Sequence, residues 1–102
     1  PAPHQVKLEV AACGLCGTDL HVLHDTFRNF PPVILGHEMA GRVVAEGEAV
    51  KGSTDPQARY AVLGATASID PGDPLVRSGH FILSPNRRGM GHGVHGGFCR
   101  HV

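Results

Sequence analysis

The sequence predicts a small, mainly β domain: a partly open β-barrel with one or two short helices. Three observations predict it. Apolar and polar residues alternate in short runs, the period of a strand with one buried face. Turn formers are dense, with 14 glycines and 8 prolines among 102 residues, so the chain is cut into short pieces. No helical period is sustained for long, and short strands joined by such turns pack as a barrel or sandwich. The length is that of one domain. With no internal repeat and no linker, residues 1–102 are expected to form a single unit.

Taken in order, Val6 to Ala12 alternates and reads as a strand. Thr18 to Leu23 fits a short helix, with Thr18 and Asp19 as candidate caps. Ala40 to Ala45 and Arg59 to Ala65 read as strands, and Phe98 to Val102 as a terminal strand. Asp70-Pro71-Gly72-Asp73-Pro74 is a cluster of turn residues whose prolines restrict the unfolded chain. Gly89 to Gly97 is rich in glycine. No β-branched run precedes it and no helix-forming run follows, so it reads as a flexible loop and is rejected as a dinucleotide-binding turn.

Two blocks carry the chemistry, Cys16-Gly17-Thr18-Asp19-Leu20-His21 and Gly36-His37-Glu38. Zinc accepts thiolate and imidazole together, and a catalytic site needs three protein ligands plus an open position. Cys16 and His37 supply two; Glu38 is the third candidate, as a ligand or as a neighbour that tunes the charge. Such a site acidifies an alcohol and prepares it to donate hydride. Thr18 is placed to take the released proton and His21 to deliver it to solvent. Asp19 is placed to orient the His37 ring, because ligating histidines usually donate their other N–H to a carboxylate or carbonyl. Cys13-x-x-Cys16 has redox or zinc-ribbon spacing, but no second pair follows, and Cys13 reads as a small packing residue. Cys99 and His101 would share a strand face, yet isolated histidines there read as surface residues before a second metal site.

These blocks resemble the medium-chain, zinc-dependent alcohol dehydrogenase superfamily, in particular its polyol and threonine dehydrogenase-like branch. The resemblance runs from Val6 through His21, through Pro32-Val33-Ile34-Leu35-Gly36-His37-Glu38 and Ala40-Gly41, to Ser84-Pro85-Asn86-Arg87-Arg88-Gly89 and Gly96-Gly97-Phe98. It implies a GroES-like fold, Zn2+ held by Cys16, His37 and Glu38, proton-relay roles for Thr18 and His21, and support from Asp19. It also implies NAD(P) on a Rossmann domain that this chain does not contain, and a small alcohol or polyol as substrate. Relatives with a structural zinc carry four cysteines in a lobe corresponding to about residues 66–97. Those places fall here on Asp70, Asp73, Val76 and Ser84, spaced two, two and seven residues apart. All four thiols are replaced, so the lobe is expected to be free of structural zinc, by engineering or by nature. A calcium or magnesium site on Asp70 and Asp73 is the weaker reading. The family's Gly-Asp-Arg is Gln57-Ala58-Arg59 here, an altered strand edge.

Charge narrows the remaining classes. Nine basic and nine acidic residues cancel, which leaves no electrostatic footprint for nucleic acid or an anionic membrane. No apolar stretch reaches a membrane span and Pro1-Ala2-Pro3-His4 has no signal-peptide shape. Three cysteines, one of them a ligand, suit a reducing cytoplasm. Barrel edges left uncovered favour homo-oligomers. Three functional readings follow. The first is the catalytic-zinc domain of an NAD(P)-dependent alcohol or polyol dehydrogenase, an excised part inactive alone. The second is an engineered metal-binding scaffold or artificial zinc hydrolase. The third is a non-catalytic GroES-like interaction module, for which the Cys16 and His37-Glu38 set has no use.

Overall fold

The computed structural model describes residues 1–66, 70 and 72–102. Three strands form an antiparallel sheet in the order β1-β2-β3, with β1 over Val6–Gly14, β2 over Glu38–Glu46 and β3 over Tyr60–Ala61. Helix α1 spans Gly17–Leu23 between β1 and β2, and α2 spans Pro74–Arg77. Single 3-10 turns lie at Glu48–Val50, Gly64–Thr66 and Phe81–Leu83. This is a mainly β, open-barrel architecture with two short helices. Of the turn cluster at 70–74, Pro71 lies outside the described residues, as do 67–69 of the lobe.

The β1–β2 register fixes where the two chemical blocks meet. Pairing runs from Val6 opposite Glu46 to Gly14 opposite Glu38, so the end of β1 lies beside the start of β2. Cys16, just past Gly14, therefore emerges next to His37 and Glu38. Two register shifts leave Ala11 on β1 and Val44 on β2 as the extra residues of bulges, which bend and twist the pair. At Gly41 the strands approach so closely that a Cβ would overlap the Glu9 carbonyl oxygen; a side chain there would break the ladder.

The expected strand over 59–65 pairs only at Tyr60 and Ala61, extended by Val62 N–H donating to the Met39 carbonyl at 2.9 Å. The reason lies in its partner. Ala61 pairs with Ala40, and β2 begins at Glu38, so the ladder runs out and the chain turns at Gly64–Thr66. Phe98 to Val102 likewise forms a single bridge, His101 to Glu9, with Leu8 N–H donating to the Val102 carbonyl at 2.7 Å. Its first part is diverted: Gly96, Gly97 and Phe98 donate their N–H groups to Ile34, Gly36 and Leu35 at 2.7–3.0 Å. The glycine-rich run is an ordered turn instead of a flexible loop. Gly93 and Val94 both donate to the Gly89 carbonyl, at 2.8 and 3.0 Å, and Gly91 donates to Val94 at 2.9 Å.

Little apolar surface is buried. Leu8, Val22 and Met39 are the buried hydrophobic residues among those described. The accessible surface is 6641 Å², against roughly 5,500 Å² for a compact chain of this mass. Leu15, Leu20, Leu23, Leu63 and Leu83 are among the large side chains left exposed. No helix among the described residues is long and apolar enough to cross a membrane.

Candidate metal centre

Cys16 Sγ, a ring nitrogen of His37 and a carboxylate oxygen of Glu38 all lie within 4.8 Å of one another. Donors around a tetrahedral zinc sit roughly 3.3–3.8 Å apart, given bond lengths of about 2.0–2.3 Å. Small side-chain rotations close that gap. Cys16 and His37 are half-buried and Glu38 is exposed, so the group opens to one side.

Local structure explains the convergence. Cys16 is the N-cap of α1, in an extended conformation, and Asp19 at the third helical position reaches back to its N–H at 2.9 Å. That is half of a capping box, and it satisfies a donor the helix leaves free. Asp19 does more than cap. Its other oxygen accepts the Gly36 N–H at 2.9 Å and lies 3.4 Å from His37 Nδ1, while the side chain is only 2% exposed. One buried carboxylate thus ties the thiol-bearing turn to the imidazole-bearing turn. Gly36 makes the second turn possible with φ of +93°, and a Cβ there would meet the Phe98 ring at 2.7 Å and Cys13 Sγ at 2.8 Å.

The profile of the alcohol dehydrogenase GroES-like domain matches residues 2–102. The chain belongs to that family. Sorbitol dehydrogenase of Halalkalibacterium halodurans is 32% identical over 107 residues, covering 100% of this chain and 29% of the relative. L-threonine 3-dehydrogenase of Ruegeria pomeroyi is 35% identical over 104 residues, covering 98% and 30%. Among solved structures, a Sinorhizobium meliloti protein described as a zinc-binding dehydrogenase and bound to NADP superimposes with a TM-score of 0.84 at 40% identity, over 100% of this chain and 29% of its own. The chain therefore spans under a third of the length of these relatives.

Within this GroES-like domain the remaining candidate residues fall as follows. Thr18 Oγ1 lies 3.6 Å from Cys16 Sγ, beside the cluster. His21 is exposed, and its Nδ1 pairs with Thr26 Oγ1 at 3.1 Å. Cys13 is absent from the three-donor group although it is close by. Burial pushes its thiol pKa up; a hydrogen bond at the Glu38 backbone opposes this, and Asp19, Glu38 and Cys99 add to the rise. Cys13 is thus a protonated thiol packed against Gly36. Cys99 Sγ lies 3.2 Å from the Gly96 carbonyl and 3.0 Å from that of His101, with its one S–H to donate to either, and among the described residues no second set of three metal donors meets.

The four replaced positions of the lobe have partners of their own. Asp70 is exposed and accepts the Gly72 N–H at 2.8 Å, closing a turn. Asp73 is buried and caps α2, accepting the Leu75 N–H at 2.8 Å. Its second oxygen accepts the Ser84 hydroxyl at 2.5 Å. Ser84 first, and the Leu75 N–H second, pull the Asp73 pKa below the usual carboxylate range. Val76 lies within α2, half-buried. Sequence reasoning missed both the Asp73–Ser84 contact and the Asp19–Gly36 contact. The second had a legible signal, an acidic residue three places after the residue that caps a helix.

Proposed function

We propose that the protein is the catalytic-zinc domain of an NAD(P)-dependent dehydrogenase that oxidises a small alcohol or polyol to a carbonyl compound. The observation that carries this reading is the convergence of Cys16, His37 and Glu38 donors within 4.8 Å. Thiolate, imidazole and one carboxylate form a borderline-soft set that suits zinc, whereas calcium and magnesium take oxygen alone. Zinc bound there supplies Lewis-acid polarisation of an alcohol oxygen.

The protein's own groups divide the rest of the work. Asp19, 3.4 Å from His37 Nδ1, is placed to orient the ring as a ligand. The Thr18 hydroxyl beside Cys16 receives the alcohol proton, and His21, exposed on α1, passes it to water. A nicotinamide on a dinucleotide-binding domain would accept the hydride, a reading supported by the NADP-bound relative. Exposed Leu15, Leu20 and Leu23, on and beside α1, offer apolar surface for that domain to cover. Free Cys13, Cys16 and Cys99 fit a reducing cytoplasm, and the short β3 leaves a sheet edge open for self-association.

Cobalt(II) loading tests the reading. The expected result is a thiolate-to-cobalt charge-transfer band that Cys16→Ala abolishes, with visible bands that shift when an alcohol or polyol occupies the open position. A cobalt spectrum with no thiolate band refutes it.

A further inference from the structure

Residues 27–30, just after α1, pack against 82–92 and enclose a cavity of about 140 Å³ lined by Phe27, Arg28, Phe30, Ile82, Arg87 and His92. Its walls are aromatic and its rim is cationic. The Arg88 guanidinium lies 3.4 Å from the centre of the Phe30 ring and that of Arg28 lies 5.2 Å from the same centre. Phe27 and His92 meet edge to face at 5.1 Å. Arg87 uses one nitrogen on the Ala65 carbonyl at 3.3 Å. Among the described residues, none of these three arginines reaches a carboxylate at ion-pair distance.

Arg28 and Arg87 thus line the pocket and Arg88 stacks on its Phe30 wall, in a chain whose formal net charge is zero. Their mutual repulsion is a standing cost that a bound anion would relieve. His92 does not add to the charge, since burial first, then Arg87 and His37, hold its pKa below the ordinary imidazole value. Gly91, next to His92, packs so closely on Gly36 that a Cβ there would lie 3.1 Å from the Gly36 nitrogen and oxygen, which places the pocket beside the turn that carries His37. The Ser84 hydroxyl, also on the lining, is committed to Asp73, so the arginines supply the donors.

We propose that this cavity binds an oxyanion, the phosphate or carboxylate group of the substrate whose hydroxyl meets the Cys16–His37–Glu38 centre. The first half stands on the cavity alone; the assignment to the substrate rests on the function proposed above. Guanidinium forks match the oxygens of phosphate and carboxylate, and the volume admits one such group and not a whole nucleotide. The substrate class narrows accordingly, from neutral alcohols to a phosphorylated polyol or a hydroxy acid.

The test is an NMR titration of the metal-free protein with inorganic phosphate and, separately, acetate at constant ionic strength. Amide shifts are expected at residues 27–30 and 84–93, and Arg28→Gln should weaken binding about tenfold, the scale of one charge-assisted hydrogen bond. Arg28→Lys should restore part of it and Arg88→Gln should weaken it likewise; Arg28 is exposed, so the fold should tolerate its replacement. Tighter phosphate binding identifies a phosphorylated alcohol and tighter acetate binding a hydroxy acid. Equal affinity in the wild type and Arg28→Gln overturns the proposal, as do shifts confined to the Arg42, Arg59 and Arg100 face. Because metal is left out, an error in the metal-centre reading would not disturb this result, and loss of the oxyanion site would not disturb zinc binding at Cys16.

Discussion

Asp19 Oδ1 accepts the backbone N–H of Gly36 at 2.9 Å, across a separation of 17 residues and with the carboxylate almost wholly out of solvent. The contact joins the turn that presents Cys16 to the turn that presents His37. Replacing the carboxylate by an amide puts an NH2 group against one of two donating N–H groups, Cys16 or Gly36, and leaves a buried donor unpaired. Asp19→Asn should therefore lower stability by about 1–3 kcal/mol in urea unfolding. The same change should weaken zinc affinity about 10- to 100-fold, the usual cost of losing the group that orients a ligating histidine.

Cys13 gives a contrasting expectation. Its pKa is raised, chiefly by burial, so at neutral pH it carries little thiolate, the reactive form. In the metal-free protein Cys13 should be alkylated by iodoacetamide more slowly than a free cysteine of ordinary pKa. Cys13→Ser should leave the zinc stoichiometry unchanged. Peptide mapping after timed alkylation and metal analysis of the variant check both statements.

The lobe should be acid-sensitive through Asp73. Its pKa is lowered in the folded protein by the Ser84 hydroxyl and the Leu75 N–H. A depressed carboxylate adds stability that is fully present above its unfolded pKa of about 4 and is lost as pH falls through the lower, folded value. Glu46 acts in the same direction, held down by the Thr54 hydroxyl and the Gly52 and Thr54 N–H groups. Urea midpoints measured from pH 6 down to pH 2 should fall in the wild type, and fall less in Asp73→Asn. Ser84→Ala should reduce the pH dependence by removing the first cause of the shift.

Much of this site could be read from the chain because its chemistry is local. Cys16 with Thr18 and Asp19, and His37 with Glu38, are short blocks whose residue types declare their donors, and the alternation of β1 is plain from period-two patterning. What could not be read depends on where strands stop. Residues 59–65 have strand composition, yet β3 ends after Ala61 because its partner begins at Glu38. Phe98 to Val102 has strand composition too, and Gly96, Gly97 and Phe98 are drawn to the turn at Ile34–Gly36 instead. The run from Gly89 to Gly97 looked flexible by composition, but its N–H groups close an ordered turn. In each case a partner distant in sequence overrides local preference. The arginines around Phe30 come from segments some sixty residues apart, and no local pattern announces their meeting.

The most direct measurement is the zinc content of the purified protein beside its Cys16→Ala and His37→Ala variants, after dialysis against a weak chelator. Close to one zinc per wild-type chain, falling to a small fraction in each variant while the circular dichroism spectrum is retained, is the predicted result. Equal zinc in all three proteins would place the ion elsewhere and contradict the metal centre.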